Sequence, residues 1–381
     1  MVSLSARREL LEHYRKDYSS ASRSEKSKIL TAVCESTGWN RKYAIGEMKG
    51  DPRVRKRTKR KRKSVYGPNE EAALVKVWKL SGFLASKRLA PFLPEFLDTL
   101  QRHDELTLPK LVDERLRKIS ASSIDRLLRR HRSSQPRSAS FTKSGPLKRQ
   151  VAMRRGTDWD DAKPGYCEVD TVAHSGGDMS GEFYWTLSLT DVSTGWYEGA
   201  ALRSKSQSET LRHIQSIRAR LPFQLLGIDS DNGGEFINYH LLKFCQDEKI
   251  VFTRCRPYVK NDQCRVEQKN NSIVRKHTAY GRYNRPEQFK LLSEIHGILR
   301  LLVNFFEPSL KGKEKAATPY RRLIETNALS RAKLDELRAT YEALNPVKLR
   351  ERLNRAKLEL YELNALVENV ENGEPPGQII T

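Results

Sequence analysis

Residues 225–236 read LLGIDSDNGGEF. Leu225 to Asp229 is a short apolar run of the kind that forms a buried strand, and Asp231 follows it just ahead of the turn Asn232-Gly233-Gly234. In an open α/β sheet, an Asp at the C-terminal end of a strand faces the crevice where such sheets place their sites. Upstream, Tyr166–Val172, Phe183–Val192 and Trp196–Leu202 read as strands, the last two joined by Ser193-Thr194-Gly195. Residues 206–221 read as a helix. Downstream come a helix (Phe236–Glu248), a strand (Ile250–Cys255) and a helix (Val266–Tyr280). Hairpin-linked strands followed by helical crossovers predict an α/β domain whose mixed five-stranded sheet is flanked by helices.

Three acids stand out within this pattern. Asp170 lies inside the first strand, Asp231 ends the fourth, and Glu267 opens the last helix. Burying a carboxylate is costly unless a cation offsets it, and three converging carboxylates suit a hard divalent ion. Each acid alone has an ordinary explanation. An Asp before Asn-Gly is usual turn chemistry, and a Glu near a helix start complements the helix dipole. The set is more informative, because the 35 residues between Asp231 and Glu267 supply one helix, one strand and one loop. That path can return the helix beside the strand end. Glu168 and Asp229 each lie two residues before a candidate acid, on the same strand face, and qualify as auxiliary ligands. His174 reads as a surface histidine that could reach the site.

The segments EVDTV (168–172), IDSDNGGEF (228–236), RPYVKND (256–262) and VEQKN (266–270), in this order, resemble the DDE transposase and retroviral integrase superfamily. The resemblance points in particular to bacterial insertion-sequence transposases with an integrase catalytic core, and TGWNRKYAI (37–45) resembles their N-terminal DNA-binding unit. It implies an RNase-H-like core over residues 164–281, with Asp170, Asp231 and Glu267 as the catalytic and metal-binding triad. It further implies two Mg²⁺ (or Mn²⁺) ions per site, cleavage at element ends and transfer of the freed 3′-OH into target DNA. The implied partner is double-stranded DNA, both element ends and target, with a homodimer or higher oligomer in the active complex. The implied setting is the bacterial cytoplasm, in association with the nucleoid. The His/Cys zinc domain of retroviral integrases has no counterpart here, which favours the bacterial branch. A catalytically silent regulator derived from a transposase and an RNase-H-like nuclease remain as alternatives.

Charge supports a polyanionic partner. The 381 residues carry 70 Lys+Arg against 47 Asp+Glu, a net charge of +23. Residues 1–150 hold 36 basic and 16 acidic side chains, a net of +20, and the remainder is nearly balanced at 34 and 31. Such asymmetry favours nucleic acid over generic surface charge. No run of about 18 apolar residues occurs, so no membrane span is expected, and the first residues lack the apolar segment of a secretory signal. Five cysteines without a CxxC pair predict a reducing compartment and no zinc site.

The basic half divides into helical units. Ser24 is expected to cap a helix over Glu25–Glu35, broken at Ser36-Thr37-Gly38 and followed by a helix over Asn40–Met48. Residues 1–50 thus form a helix-turn-helix pattern that would present Asn40, Arg41 and Lys42 to DNA. Residues 51–67 read as a basic linker, whose run RVRKRTKRKRK (53–63) offers Arg57, Lys59 and Arg60 to phosphates. Residues 68–133 read as a second, helix-turn-helix-like unit. Its last helix, capped by Ser120 or Ser122, exposes Arg126, Arg129 and Arg130. Residues 134–163 have linker composition.

In the core, Tyr258 and Lys260 lie on a loop, and Lys269, Asn270, Asn271 and Arg275 extend from Glu267 as further DNA contacts. Asn270, Asn271, Val274 and Arg275 share Glu267's face at helical spacing. Residues 282–370 read as helical. There Leu349, Leu353, Ala356, Leu360, Leu363 and Val367 form a stripe equally suited to dimerisation or internal packing. Residues 371–381 read as a disordered tail.

Overall fold

A computed structural model describes residues 4–50, 65–132, 163–231, 233–255, 264–311 and 314–371. Arg57, Lys59, Arg60, Tyr258 and Lys260, most of the predicted linker and nearly all of the tail lie outside the described residues. The chain forms two compact units, Met1–Ser64 and Val65–Thr381.

The first unit contains α1 (Leu4–Ser20), α2 (Arg23–Thr37) and α3 (Arg41–Lys49) around a small core of Leu11, Tyr18, Leu30, Val33, Ala44 and Met48. Ser22, not Ser24, caps α2. Its Oγ accepts the Glu25 N–H, and the Glu25 carboxylate accepts the Ser22 N–H at 2.8 Å. That reciprocal box requires Glu three residues after the cap, which Ser22 has and Ser24 lacks. Gly38, at φ 70°, ends α2 in the left-handed conformation that glycine adopts without steric cost. Two residues later Asn40 caps α3.

The second unit begins with α4 (Pro68–Leu80), α5 (Ser86–Arg102), α6 (Lys110–Arg117) and α7 (Ala121–Leu128), the last capped by Ser120. Expected as a domain of their own, these helices instead share one apolar core with the rest of the unit. Thr99 Oγ1 lies 2.9 Å from Tyr341 Oη, and Asn345 Nδ2 donates to Glu105 Oε1 at 2.7 Å.

The sheet comprises β1 (Tyr166–Ala173), β2 (Trp185–Asp191), β3 (Tyr197–Leu202), β4 (Gly227–Ser230) and β5 (Val251–Arg254), in spatial order β3-β2-β1-β4-β5. β1, β2 and β3 pair antiparallel, whereas β4 pairs parallel with both β1 and β5. The parallel strands are reached through the crossover helices α8 (Gln207–Arg220) and α9 (Tyr239–Asp247). This is the predicted mixed five-stranded sheet with flanking helices.

After β5 come α10 (Cys264–Lys269), a π-helical segment (Asn270–Arg275) and the short α11 (Lys276–Thr278). The helices α12 (Pro286–Phe306), α13 (Pro319–Glu325), α14 (Arg331–Ala343) and α15 (Pro346–Glu371) complete the unit. α12 lies on β3 and is covered in turn by α15. The heptad-like stripe Leu349, Leu353, Ala356 and Leu360 is buried within the chain. Internal packing thus accounts for that part of the stripe. Among the described residues, no helix is long and apolar enough to cross a membrane.

Candidate active site

β1 and β4 lie side by side and parallel, with Glu168 paired to Asp229 and Val169 to Ser230. Continuing that register by one residue brings Asp170 beside Asp231. Because side chains alternate along a strand, Glu168 and Asp170 share one face, as do Asp229 and Asp231. Four acids therefore stand in two rows across neighbouring strands, an arrangement that repulsion would disfavour unless each row had its own compensation.

The inner row is compensated by the protein itself. Glu168 is fully buried, and its Oε2 accepts the backbone N–H groups of Arg265 at 3.0 Å and Val266 at 2.9 Å. Arg265 Nη1 adds a charged hydrogen bond to Oε1 at 3.1 Å. Burial raises the Glu168 pKa above the usual carboxylate range, and these donors oppose the shift. Asp229 is also buried and accepts the Thr253 hydroxyl at 2.6 Å. The residues that sequence offered as auxiliary ligands are engaged within the protein.

The outer row is compensated less completely. Asp170 is half-buried, accepts the Thr171 N–H on Oδ1 at 2.7 Å and accepts Asn270 Nδ2 on Oδ2 at 2.7 Å. Its pKa is pushed up to about 7, first by burial and then by the charges of Asp231, Glu267 and Glu235. Asp231, also half-buried, accepts the Gly233 N–H at 2.9 Å. Burial raises its pKa, Glu235 adds to the rise and Lys205 opposes it.

Glu235 is an acid that sequence reasoning missed. It is buried, bonded to Lys205 Nζ at 2.7 Å and to the Thr171 hydroxyl at 3.1 Å. The signal was the paired glycine before it, since a side chain at Gly233 would run into the Glu235 carboxylate. Lys205 also sits 5.0 Å from the Trp185 ring centre, which supports its stem at the edge of the cluster.

Glu267 is exposed on α10, one residue after the anchored Val266. Among the described residues, no three His, Cys, Asp or Glu side chains stand close enough together to hold one metal ion. The donor chemistry nonetheless suits a hard divalent cation. Asp170 and Asp231 are half-buried carboxylates with raised pKa values, and Asn270, which bonds Asp170, has a buried Oδ1 without a hydrogen-bond partner among the described residues.

Glu267 acts on Asp170 through its charge and Asn270 bonds it, as residues three apart on one helix side can. The π segment that begins at Asn270 shifts the phase of the residues after it. Asn270 and Val274 are buried, Asn271 is exposed, and the half-buried Arg275 guanidinium lies 4.8 Å from the Tyr280 ring centre. Lys269 is half-buried, and burial lowers its pKa to about 8. His174 is no surface residue. It is fully buried and bonds Thr186 Oγ1 at 2.7 Å, and burial holds its pKa well below the usual value.

In the first unit, Asn40 Oδ1 accepts the Lys42 N–H, and Arg41 binds Ser27 Oγ at 2.7 Å, tying α3 to α2. The Lys42 side chain is exposed. Arg126, Arg129 and Arg130 are exposed too, with Arg126 Nη2 bonding Ser123 Oγ at 3.0 Å.

The described fold resembles two solved catalytic cores at low similarity. The BIV integrase catalytic core domain matches with a TM-score of 0.31 and 16% identity, over 42% of this chain and 95% of that one. The HTLV-2 integrase catalytic core domain in complex with magnesium (dimeric form) matches with a TM-score of 0.32 and 15% identity, over 42% and 98%. No family model matches the sequence. Over 322 residues the chain is 38% identical to "Uncharacterized protein y4rM" of Sinorhizobium fredii (strain NBRC 101917 / NGR234), covering 82% of this chain and 90% of that protein. The chain belongs to the family of that Sinorhizobium fredii protein.

Proposed function

We propose that this protein is a DNA transposase with an RNase-H-like core, cleaving the ends of its element and joining the freed 3′-OH to target DNA. One observation carries the reading. Parallel pairing of β1 and β4 runs to Val169 and Ser230, the residues just before Asp170 and Asp231, and burial together with the charges of Asp231, Glu267 and Glu235 raises the Asp170 pKa to about 7. Perturbed carboxylates grouped at a sheet's strand ends are a functional-site signature. The basic first 150 residues supply the electrostatic footprint of a nucleic-acid partner.

Asp170, Asp231 and Glu267 would hold divalent Mg²⁺ or Mn²⁺, which when bound activates the attacking oxygen and stabilises the leaving one. Asn270 orients the Asp170 carboxylate, and the Gly233 N–H orients Asp231. Lys205 brings positive charge to the rim of the cluster. In the first reaction water cleaves a phosphodiester and frees a 3′-OH. In the second that hydroxyl attacks a target phosphodiester, so no covalent protein–DNA intermediate is required. Asn40, Arg41, Lys42, Arg126, Arg129 and Arg130 belong to the helical units that would hold the element ends.

A catalytically silent DNA-binding regulator is the second reading, favoured by the want of three closely grouped metal donors among the described residues. A labelled duplex carrying the sequences that flank the coding region separates the two. Wild-type protein with Mg²⁺ or Mn²⁺ is expected to nick and join it, and Asp231→Asn to bind it without cleavage. Full cleavage by Asp231→Asn overturns the assignment of the site. Binding without cleavage by the wild type establishes the regulator.

A further inference from the structure

We infer that Glu168 is a positioning residue for the proposed reaction, anchoring the start of α10 so that β1 itself sets the spacing between Asp170 and Glu267. The inference rests on the metal-dependent reading above. Its basis is the Glu168 carboxylate, which accepts three hydrogen bonds from two consecutive residues, Arg265 and Val266. Glu267 is the next residue in the chain. Asn270, three residues further on, is tied to Asp170. Glu267 thus lies between two attachments to one strand, at Glu168 and at Asp170, whose positions differ by two residues of extended chain, roughly 6.6 Å.

Stability alone does not explain a carboxylate at this position. Glu168 is fully buried beside a second buried acid, Asp229, its partner across the β1–β4 pair. A well-packed apolar side chain in a strand core is commonly at least as stabilising as a buried ion pair. An apolar side chain cannot, however, accept the N–H groups of residues 265 and 266. Those groups open α10 and have no helical partner of their own. The carboxylate couples the helix to the strand in a defined register, and supporting contacts of this kind commonly govern metal affinity.

The test uses the full-length protein and two readouts. Glu168→Gln keeps the shape but replaces one acceptor oxygen with an amide that opposes the donors. Hydrogen exchange is expected to rise about tenfold or more in the peptide spanning residues 264–271, with β2 and α12 unchanged. The Mn²⁺ dissociation constant, read by electron paramagnetic resonance, is expected to rise about tenfold. Unchanged exchange in that peptide overturns the anchor. Faster exchange with an unchanged Mn²⁺ constant overturns its role toward the metal site.

If Glu168→Gln loosens the whole chain, Glu168→Asp, which keeps the charge but draws it back from the Arg265 and Val266 N–H groups, is read by the same criteria. Failure of the wild type to cleave DNA would count against the functional reading and leave the exchange result standing by itself.

Discussion

Asn270 donates its side-chain N–H to Asp170 Oδ2 at 2.7 Å across 100 residues of sequence. With the Thr171 N–H on Oδ1, the bond holds the second oxygen of the Asp170 carboxylate, and it comes from the π segment directly after α10. Asn270→Ala removes it and leaves Asp170 held by the Thr171 N–H alone. Metal-dependent cleavage is expected to fall roughly 10- to 100-fold, as for other residues that orient a ligand. Affinity for duplex DNA is expected to stay within about threefold. A gel-shift assay beside a cleavage time course reads both, and undiminished cleavage contradicts the role.

Glu198 is fully buried on β3 and accepts Arg220 Nε at 2.7 Å, Arg300 Nε at 2.9 Å and Trp196 Nε1 at 3.1 Å. One carboxylate therefore joins α8, α12 and the sheet. Glu198→Ala leaves two guanidinium groups without that partner. It is expected to destabilise the protein by about 3–5 kcal/mol. Urea unfolding followed by tryptophan fluorescence measures the change.

Gly199, also on β3, has no room for a side chain. A Cβ there would lie 2.6 Å from Tyr197 Oη and 2.8 Å from His296 Nδ1. Gly199→Ala is expected to cost about 1–3 kcal/mol through the forced shift. Calorimetry should show a lowered Tm, and an unchanged Tm would mean that the neighbouring rings move aside freely.

His296 is buried, bonded through Nε2 to Thr186 Oγ1 at 2.8 Å, and burial lowers its pKa to about 4. The unfolded chain binds a proton near pH 6.5, whereas the folded chain resists protonation until about pH 4. Stability is therefore expected to be fully present above pH 6.5 and to decline as pH falls toward 4, by on the order of 1–3 kcal/mol. Urea unfolding at stepped pH measures the slope, which His296→Gln should flatten.

The run from Arg53 to Lys63 carries nine basic residues in eleven. Each phosphate contact contributes about 0.9 to the slope of log affinity against log salt. Replacing the nine by serine is expected to lower that slope by several units and to weaken binding to all duplexes alike. Fluorescence anisotropy from 50 to 300 mM salt provides the comparison, and an unchanged slope would exclude the run from DNA contact.

Much of the core was legible because its signals are local. Short apolar runs marked each strand within a few residues, and Gly38 and Asn40 marked the turn between α2 and α3. Misreadings arose where a local signal had two solutions. Ser24 and Ser22 are both capping types, and only Ser22 has Glu25 at the reciprocal position. Residues 266–280 carry helical periodicity, but that pattern does not disclose the extra residue that makes Asn270–Arg275 a π segment. Within that segment Asn270, Ile273 and Val274 are buried and Asn271 is exposed.

The order of strands and helices, the placement of positive charge in the first 150 residues and the candidacy of Asp170, Asp231 and Glu267 were all legible in the residue pattern. These follow from contiguous residue patterns, because hydrophobic period, turn chemistry and net charge are properties of short stretches. The partners of each acid came from folding. Glu168 and Asp170 are two residues apart on one strand face and alike in chemistry. One anchors Arg265 and Val266, about a hundred residues away, while the other keeps a raised pKa beside Asp231. A carboxylate's role depends on the donors and charges that folding brings to it, and those partners lie far away in sequence.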